Sequence, residues 1–243
     1  MINEVAKKIK KSKYIVTLTG AGISVDSGIP DFRSKGGIWE KYDPYEYANI
    51  ESFKKDPEKV WKFLHEFLGK YSEVKPNPGH IALARLEEAG YLKTIITQNI
   101  DGLHQKSGSK NVIEIHGSSR ELICLYCNKK YIFEEKKYNT KNNIPLCECG
   151  KILKPNVIFF GEQLPQKALE ESFWAIENCD LLIVVGTSGV VAPVSNFPYI
   201  AKNNGAYIVE INLNKTPITS YITDYFLQGT TSRILSQLLE EVL

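Results

Sequence analysis

Short apolar runs that stop abruptly at polar turn residues organise this chain. Tyr14 to Thr19 is β-branched and apolar and halts at Gly20-Ala21-Gly22. Leu92 to Thr97 runs into Gln98-Asn99-Ile100-Asp101, and Val112 to Ile115 into His116-Gly117. Asn156 to Phe160 ends at Gly161-Glu162, Asp180 to Val185 ends at Gly186-Thr187-Ser188, and Ala206 to Asn212 is a sixth such run. Continuous apolar stretches of this length, bounded by turn residues, predict strands buried on both faces. Elsewhere the spacing is helical. Pro57 to Lys70 gathers Val60, Trp61, Leu64, Phe67 and Leu68 on one broad face, and Gly79 to Ala89 is closed by Gly90. Further helices are predicted over Pro165 to Glu177, Asn196 to Asn203 and Ser232 to Leu243, with the end of a short one over Val5 to Lys11. Strands alternating with helices predict an α/β fold built on a doubly wound parallel sheet, whose ligand sits at the carboxyl ends of the strands. Nearly every predicted strand here ends in Gly, Asn, Asp, His or Ser, so these polar ends should converge on one crevice.

Several residues at those ends could carry chemistry. Gly20-Ala21-Gly22 after a strand suits close approach of backbone N–H groups to a pyrophosphate. The third glycine of the usual dinucleotide fingerprint is replaced by Val25, so a plain tight turn remains an alternative. Asn99 and Asp101 suit ribose hydroxyls and an ordered water, or simply cap a turn. His116, at a predicted strand end, is a candidate general base. His104 could be catalytic or structural, His80 is expected to pack or cap, and His65 to be solvated. Cys124-x-x-Cys127 and Cys147-x-Cys149, nineteen residues apart, fit a structural four-thiolate zinc site. Cys179 precedes a buried run and is expected to act as a small hydrophobe.

Composition narrows the class. The 243 residues allow one large domain or one large and one small. With 43% apolar and 24% charged residues the chain is expected to be globular. Thirty Lys and Arg against 28 Asp and Glu give a net charge of +2, too balanced to imply nucleic acid as a specific partner. No apolar run reaches the roughly 18–20 residues that cross a bilayer, and the basic, polar N-terminus lacks a secretory apolar stretch. No membrane partner and a cytoplasmic location are therefore expected.

Taken together, GAGISVDSGIPDFR (20–33), TQNIDGLH (97–104), EIHG (114–117), the four cysteines, NVIFFGE (156–162), GTS (186–188) and INLN (211–214) resemble the sirtuin family of NAD-dependent protein-lysine deacylases. The matching blocks keep the family's order and span most of the chain. The resemblance implies a Rossmann-like NAD domain from 1–35, 76–120 and 155–243. It also implies a small domain formed by a helical insertion, 36–75, and a zinc-binding insertion, 121–154. An acylated-lysine protein or peptide would lie in the cleft between them. Gly20, Ala21, Gly22, Asp31, Phe32 and Arg33 would surround the phosphates, ribose and nicotinamide. Gln98 would contact the ribose, Asn99 would position the reaction centre and its water, and Ile100 and Asp101 would hold the nicotinamide carboxamide. Gly186, Thr187, Ser188, Asn212 and Leu213 would line the adenosine end. His116 would be the general base, and Val157, Phe159 and Phe160 would form the acyl-lysine tunnel and peptide edge. The implied reaction moves the acyl group to ADP-ribose and releases nicotinamide and free lysine. ADP-ribosyl transfer to protein, or NAD hydrolysis, is the alternative on the same scaffold. Sirtuins that remove acidic acyl groups carry a Tyr and an Arg three residues apart on the first insertion's helix. The corresponding positions here hold Leu64 and Phe67, so uncharged acyl groups are expected to be preferred over succinyl or malonyl.

Overall fold

The computed structural model describes residues 1–134 and 144–243, and of 67–72 the backbone alone. Its strands are β1 (Ile15–Thr19), β2 (Leu92–Thr97), β3 (Val112–Glu114), β4 (Gly117–Cys124), β5 (Lys130–Ile132), β6 (Leu153–Val157), β7 (Leu181–Val185), β8 (Tyr207–Asn212) and β9 (Tyr225–Gln228). Six of them form a wholly parallel sheet in the order β3-β2-β1-β7-β8-β9. From β1 the chain builds outward through β2 and β3, then returns to the other side of β1 as β7. The order thus reverses between β1 and β7, the place where a doubly wound sheet opens a crevice.

Every residue of β1 and of β7 is buried, which is why both runs read as continuously apolar. Helices α1 (Ile2–Lys11), α6 (Pro78–Glu88) and α10 (Thr231–Val242) cover one face of the sheet through a core that includes Ile9, Leu83 and Leu235. On the other face, α8 (Gln166–Asn178) and α9 (Phe197–Asn203) pack Ile176 and Phe197 against Leu18, Leu182 and Val184.

A further core joins two stretches distant in sequence. Between β1 and β2 lie three short helices, α2 (Ile38–Lys41), α3 (Pro44–Tyr47) and α4 (Ile50–Lys55), and the longer α5 (Pro57–Glu73). The α5 helix begins where Asp56 accepts a hydrogen bond from the Lys59 N–H and Pro57 occupies the first turn. Its buried Val60, Trp61 and Leu64 pack on the antiparallel sheet β5-β4-β6, against Leu122, Leu153 and two cysteines. The Trp61 indole donates to the Leu153 carbonyl at 2.9 Å, a buried bond between the two segments.

Two expectations need correcting. The run Asn156 to Phe160 is not a strand of the parallel sheet. The strand there is β6, Leu153–Val157, antiparallel to β4, and residues 158–160 leave it as an irregular wall. Lys154 and Pro155 hide β6 from a hydrophobicity pattern. Pro155 is tolerated because β6 is an edge strand, and Lys154 is buried because it is paired. His65 is half-buried and lies against the Trp61 ring, centroids 5.2 Å apart, rather than simply solvated.

Candidate active site

A cleft of about 950 Å³ opens at the carboxyl ends of β1, β2 and β7, beneath the core formed by α5 and the antiparallel sheet, called here the second core. That is near the top of the range of roughly 300–1,000 Å³ for small-molecule sites, with room for an extended ligand. Every candidate cofactor-binding and substrate-binding residue lines it, as does His116, except Phe67, whose side chain falls outside the described residues.

Two glycine-rich loops meet at its floor. The Gly20 N–H donates to the Val185 carbonyl at 3.0 Å and the Gly22 N–H to the Gly186 carbonyl at 2.8 Å. A Cβ on Gly22 would lie 2.7 Å from that same oxygen, and one on Gly186 (φ +57°) would lie 2.6 Å from the Ile23 nitrogen. The glycines therefore serve contact between the β1 and β7 loops. Two N–H groups that the pattern suggested for a pyrophosphate are already engaged within the protein.

Above this floor the strand-end polar residues lock together. Asn99 donates through its amide to the Gly20 carbonyl (3.1 Å) and to Ser24 Oγ (3.2 Å). Ser24 Oγ donates in turn to Asp101 Oδ2 at 2.7 Å, and the Leu103 N–H to Asp101 Oδ1 at 2.9 Å. Burial raises the Asp101 carboxyl above its ordinary value, with the bonds from Leu103 and Ser24 opposing it. Ser24, to which the sequence pattern assigns no role, lines the cleft and links Asn99 to Asp101. Its one signal was a hydroxyl inside the glycine loop.

His116 lies between the sheet and the second core. Its Nδ1 is 3.2 Å from the Gln98 carbonyl, which can only accept. Nδ1 thus carries the proton and Nε2 keeps a lone pair. Burial lowers its pKa below the usual 6.5, partly countered by the Gln98 carbonyl, so the ring stays neutral at neutral pH. Gly117 follows at φ +77°, where a Cβ would sit 2.1 Å from the Asn156 carbonyl oxygen. Only glycine lets the His116 turn come so close to β6.

Asp31 accepts the N–H groups of Arg33 (2.9 Å) and Ser34 (2.7 Å), so it shapes its own loop. Burial pushes its carboxyl up, but the bonds from Ser34 and Arg33 outweigh this and leave it below its usual value. Gln98 and Asn212 both bond Thr187, at 2.9 Å each, tying β2 and β8 to the β7 loop. On the far side, Leu64, Val157 and Phe159 are buried and Phe160 stands at the rim.

His104 proves structural. It is buried, with Nε2 3.0 Å from Thr19 Oγ1, which itself donates to Thr97 Oγ1. His80 is buried in the capping box of α6, as a capping residue should be, and its ring lies 5.0 Å from that of His104. Cys179 is likewise buried, which pushes its thiol up to about 12.

The four clustered cysteines offer sulfur atoms that all lie within 4.8 Å of one another. Cys124 Sγ is 3.6 Å from Cys149 Sγ, and Cys127 Sγ 3.5 Å from Cys147 Sγ. A tetrahedron with zinc–sulfur bonds of about 2.3 Å has edges near 3.8 Å. The donor set fits zinc, and the shortened Cys147-x-Cys149 half reaches the same centre as the other. With four thiolates such a site is closed and structural.

A family model described as the Sir2 family matches residues 20–193, which is most of the chain. The chain belongs to the Sir2 family. An NAD-dependent protein deacylase of Pyrococcus furiosus is 46% identical over 246 residues, covering 100% of this chain and 98% of the relative. Among solved structures, a Sir2 homolog–NAD complex superposes with a TM-score of 0.92 at 44% identity, covering 98% of this chain and 93% of that one. A Sir2–p53 peptide–NAD+ complex does so with 0.89 at 38% identity, covering 99% and 98%. NAD fits this Sir2 cleft on its own geometry: glycine loops in contact at the switch point, buried amide and carboxylate side chains above them, and a long open volume.

Proposed function

We propose that this Sir2 chain binds NAD and an acylated-lysine peptide in the one cleft, moves the acyl group to ADP-ribose, and prefers uncharged acyl groups over succinyl or malonyl. As a Sir2-family member the chain is an NAD-dependent protein deacylase. The observation that carries the residue-level reading is the convergence of Asn99, Asp101 and His116 on a cleft whose other wall is apolar.

NAD, when bound, supplies a ribose carbon whose bond to nicotinamide can be broken. The chain's own residues do the rest. Asp101, fixed by Ser24 and Leu103, presents a carboxyl to the nicotinamide amide beside Ile100. Asn99, held by Gly20 and Ser24, keeps its side-chain oxygen for a ribose hydroxyl or a water. His116 Nε2 is the unprotonated nitrogen and takes a proton from a ribose hydroxyl as general base. Leu64, Val157 and Phe159 exclude water and hold the acyl chain in place, so that positioning replaces intrinsic reactivity.

Acyl preference rests on the absence of a guanidinium from the helical insertion beside Leu64. No Arg occurs between Arg33 and Arg85. Leu64 in the cleft is buried among apolar residues, and Lys59 is already bonded to Glu46. A carboxylate entering there loses water without a bidentate partner, a cost of several kcal/mol, or about two or more decades in rate. The test is kcat/KM for acetyl-, myristoyl- and succinyl-lysine forms of one peptide, with mass detection of both products. Acyl-ADP-ribose with acetyl above succinyl supports the proposal. A succinyl value at or above acetyl overturns the preference, and free or protein-bound ADP-ribose as the main product would favour hydrolysis or ADP-ribosyl transfer.

We further read 1–35, 76–120 and 155–243 as the NAD domain, with 36–75 and 121–154 as the small domain. Among the described residues no helix is long and apolar enough to cross a membrane. Unpaired thiols at a metal site suit a reducing compartment, and we infer a cytoplasmic location.

A further inference from the structure

The wall that follows β6 is held by an unusual group. Lys154 is 2% exposed, and its ammonium has three acceptors: the Pro155 carbonyl at 3.1 Å, the Val157 carbonyl at 2.5 Å and Glu162 Oε2 at 2.9 Å. That matches its three protons one to one. The ammonium also lies 4.3 Å from the centre of the Phe159 ring. Glu162 Oε2 accepts a second bond, from the Phe159 N–H at 2.7 Å. Burial lowers the Lys154 pKa and the Glu162 charge opposes that fall.

This pair sits where the regular ladder ends. β6 is paired with β4 as far as Val157, opposite Gly117. Beyond it the Ile158 N–H donates to the His116 carbonyl, and Phe160 exchanges bonds with Ala48 and Ile50. The Val157 carbonyl at the first anchor and the Phe159 N–H between the two are both bound by the ion pair, and the Phe159 carbonyl accepts from the Glu162 N–H. Residues 157–162 all line the cleft. A buried ion pair is commonly no more stabilising than apolar side chains of the same volume. Its distinctive product here is therefore the fixed distance between the wall and the His116 turn.

We propose that the pair of buried Lys154 and half-buried Glu162 is a positioning device for the acyl-lysine-binding wall, setting peptide affinity through the Val157 carbonyl and the Phe159 N–H. The inference rests on the reading that Val157, Phe159 and Phe160 receive the acyl-lysine. It goes beyond it by assigning that wall's geometry to two residues outside the reacting set.

The experiment uses the full chain with NAD and an acetyl-lysine peptide, following KM for each substrate and thermal unfolding. Lys154→Met leaves the half-buried Glu162 carboxylate without its cation and should lower the Tm. The double variant Lys154→Met/Glu162→Gln removes that unpaired charge, so its Tm should recover most of the loss. The peptide KM should nevertheless stay raised by about tenfold or more, because the Val157 carbonyl has lost its donor, while the NAD KM stays within about twofold. If the methionine variants do not fold, Glu162→Gln alone should raise the peptide KM and spare the NAD KM. A wild-type peptide KM in any of these folded variants, or peptide and NAD KM values rising together, overturns the proposal. Phe159→Ala is the control for the underlying reading. If it leaves the peptide KM unchanged, the substrate wall itself is misplaced. If it raises the peptide KM while the pair variants do not, only the role of the pair falls.

Discussion

Two buried neutral histidines should make this protein sensitive to mild acid in a measurable way. Burial pushes His80 down to about 4. It pushes His104 down to about 3, with repulsion from His80 adding to it. In the unfolded chain both would titrate near the usual value of about 6.5. Their folded values are depressed, so stability is intact above about pH 6.5 and is lost as the pH falls toward the folded values, because the unfolded state takes up protons first. Between about pH 7.5 and pH 5 each histidine should cost about 2 kcal/mol, together about 4 kcal/mol. That is a large share of a typical domain stability of roughly 5–15 kcal/mol. Asp101 and Glu114 work in the opposite sense, since burial raises their carboxyls and the folded state then gains protons more readily. The clean readout is a difference between proteins. His104→Gln keeps a donor for Thr19 but cannot titrate. Urea unfolding of both proteins across this range should show the gap between them shifting by about 2 kcal/mol in favour of the variant at the acid end. A gap that stays constant to within about 0.5 kcal/mol would refute the argument that His104 is buried as a neutral ring.

Three further outcomes follow from the site. His116→Ala should lower kcat by about 10²–10⁴-fold with little change in Tm; because burial holds the His116 pKa below 6.5, the wild-type acid limb of kcat/KM should lie below that value, and a limb above it would count against His116 as the base. Gly22→Ala forces a methyl to within 2.7 Å of the Gly186 carbonyl oxygen, so NAD binding followed by calorimetry should be lost or weakened by at least about tenfold; unchanged affinity would show that the loops part without consequence. Removing metal with a strong chelator, or Cys149→Ser, should lower the Tm and release about one zinc per chain; metal-free protein that melts and turns over like the wild type would refute a structural role.

Much of this site was legible in the sequence, for a definite reason. β1, β2, β7 and β8 are buried along nearly all of their length, so each reads as a mostly apolar run, broken by Lys93 in β2 and Glu210 in β8, and the residue that stops each run faces the cleft. The cysteine spacing declared a metal site because two close cysteine pairs can bring four thiolates to one tetrahedral centre. Resemblance to a family then assigned roles that spacing alone left open.

What the tertiary structure decided are the properties that belong to pairs of residues far apart in the chain. Lys154 reads as a surface lysine until Glu162 and two carbonyls surround it, so the apolar pattern starts this strand at Asn156 and not at Leu153. The four-residue β9 and the partly exposed β4 and β5 carry apolar runs of at most three residues, and only their neighbours make them strands. Gly22 and Gly186 look like ligand loops, but it is their mutual approach across 164 residues of chain that excludes a Cβ. The same is true of the histidines: the Gln98 carbonyl selects the proton-accepting nitrogen of His116, and Thr19 and Thr97 turn His104 into a structural group. A sequence fixes which side chains can donate, accept or titrate. Which of them are desolvated and what faces them is settled by packing, and here packing separates the cleft-lining His116 from the enclosed rings of His80 and His104.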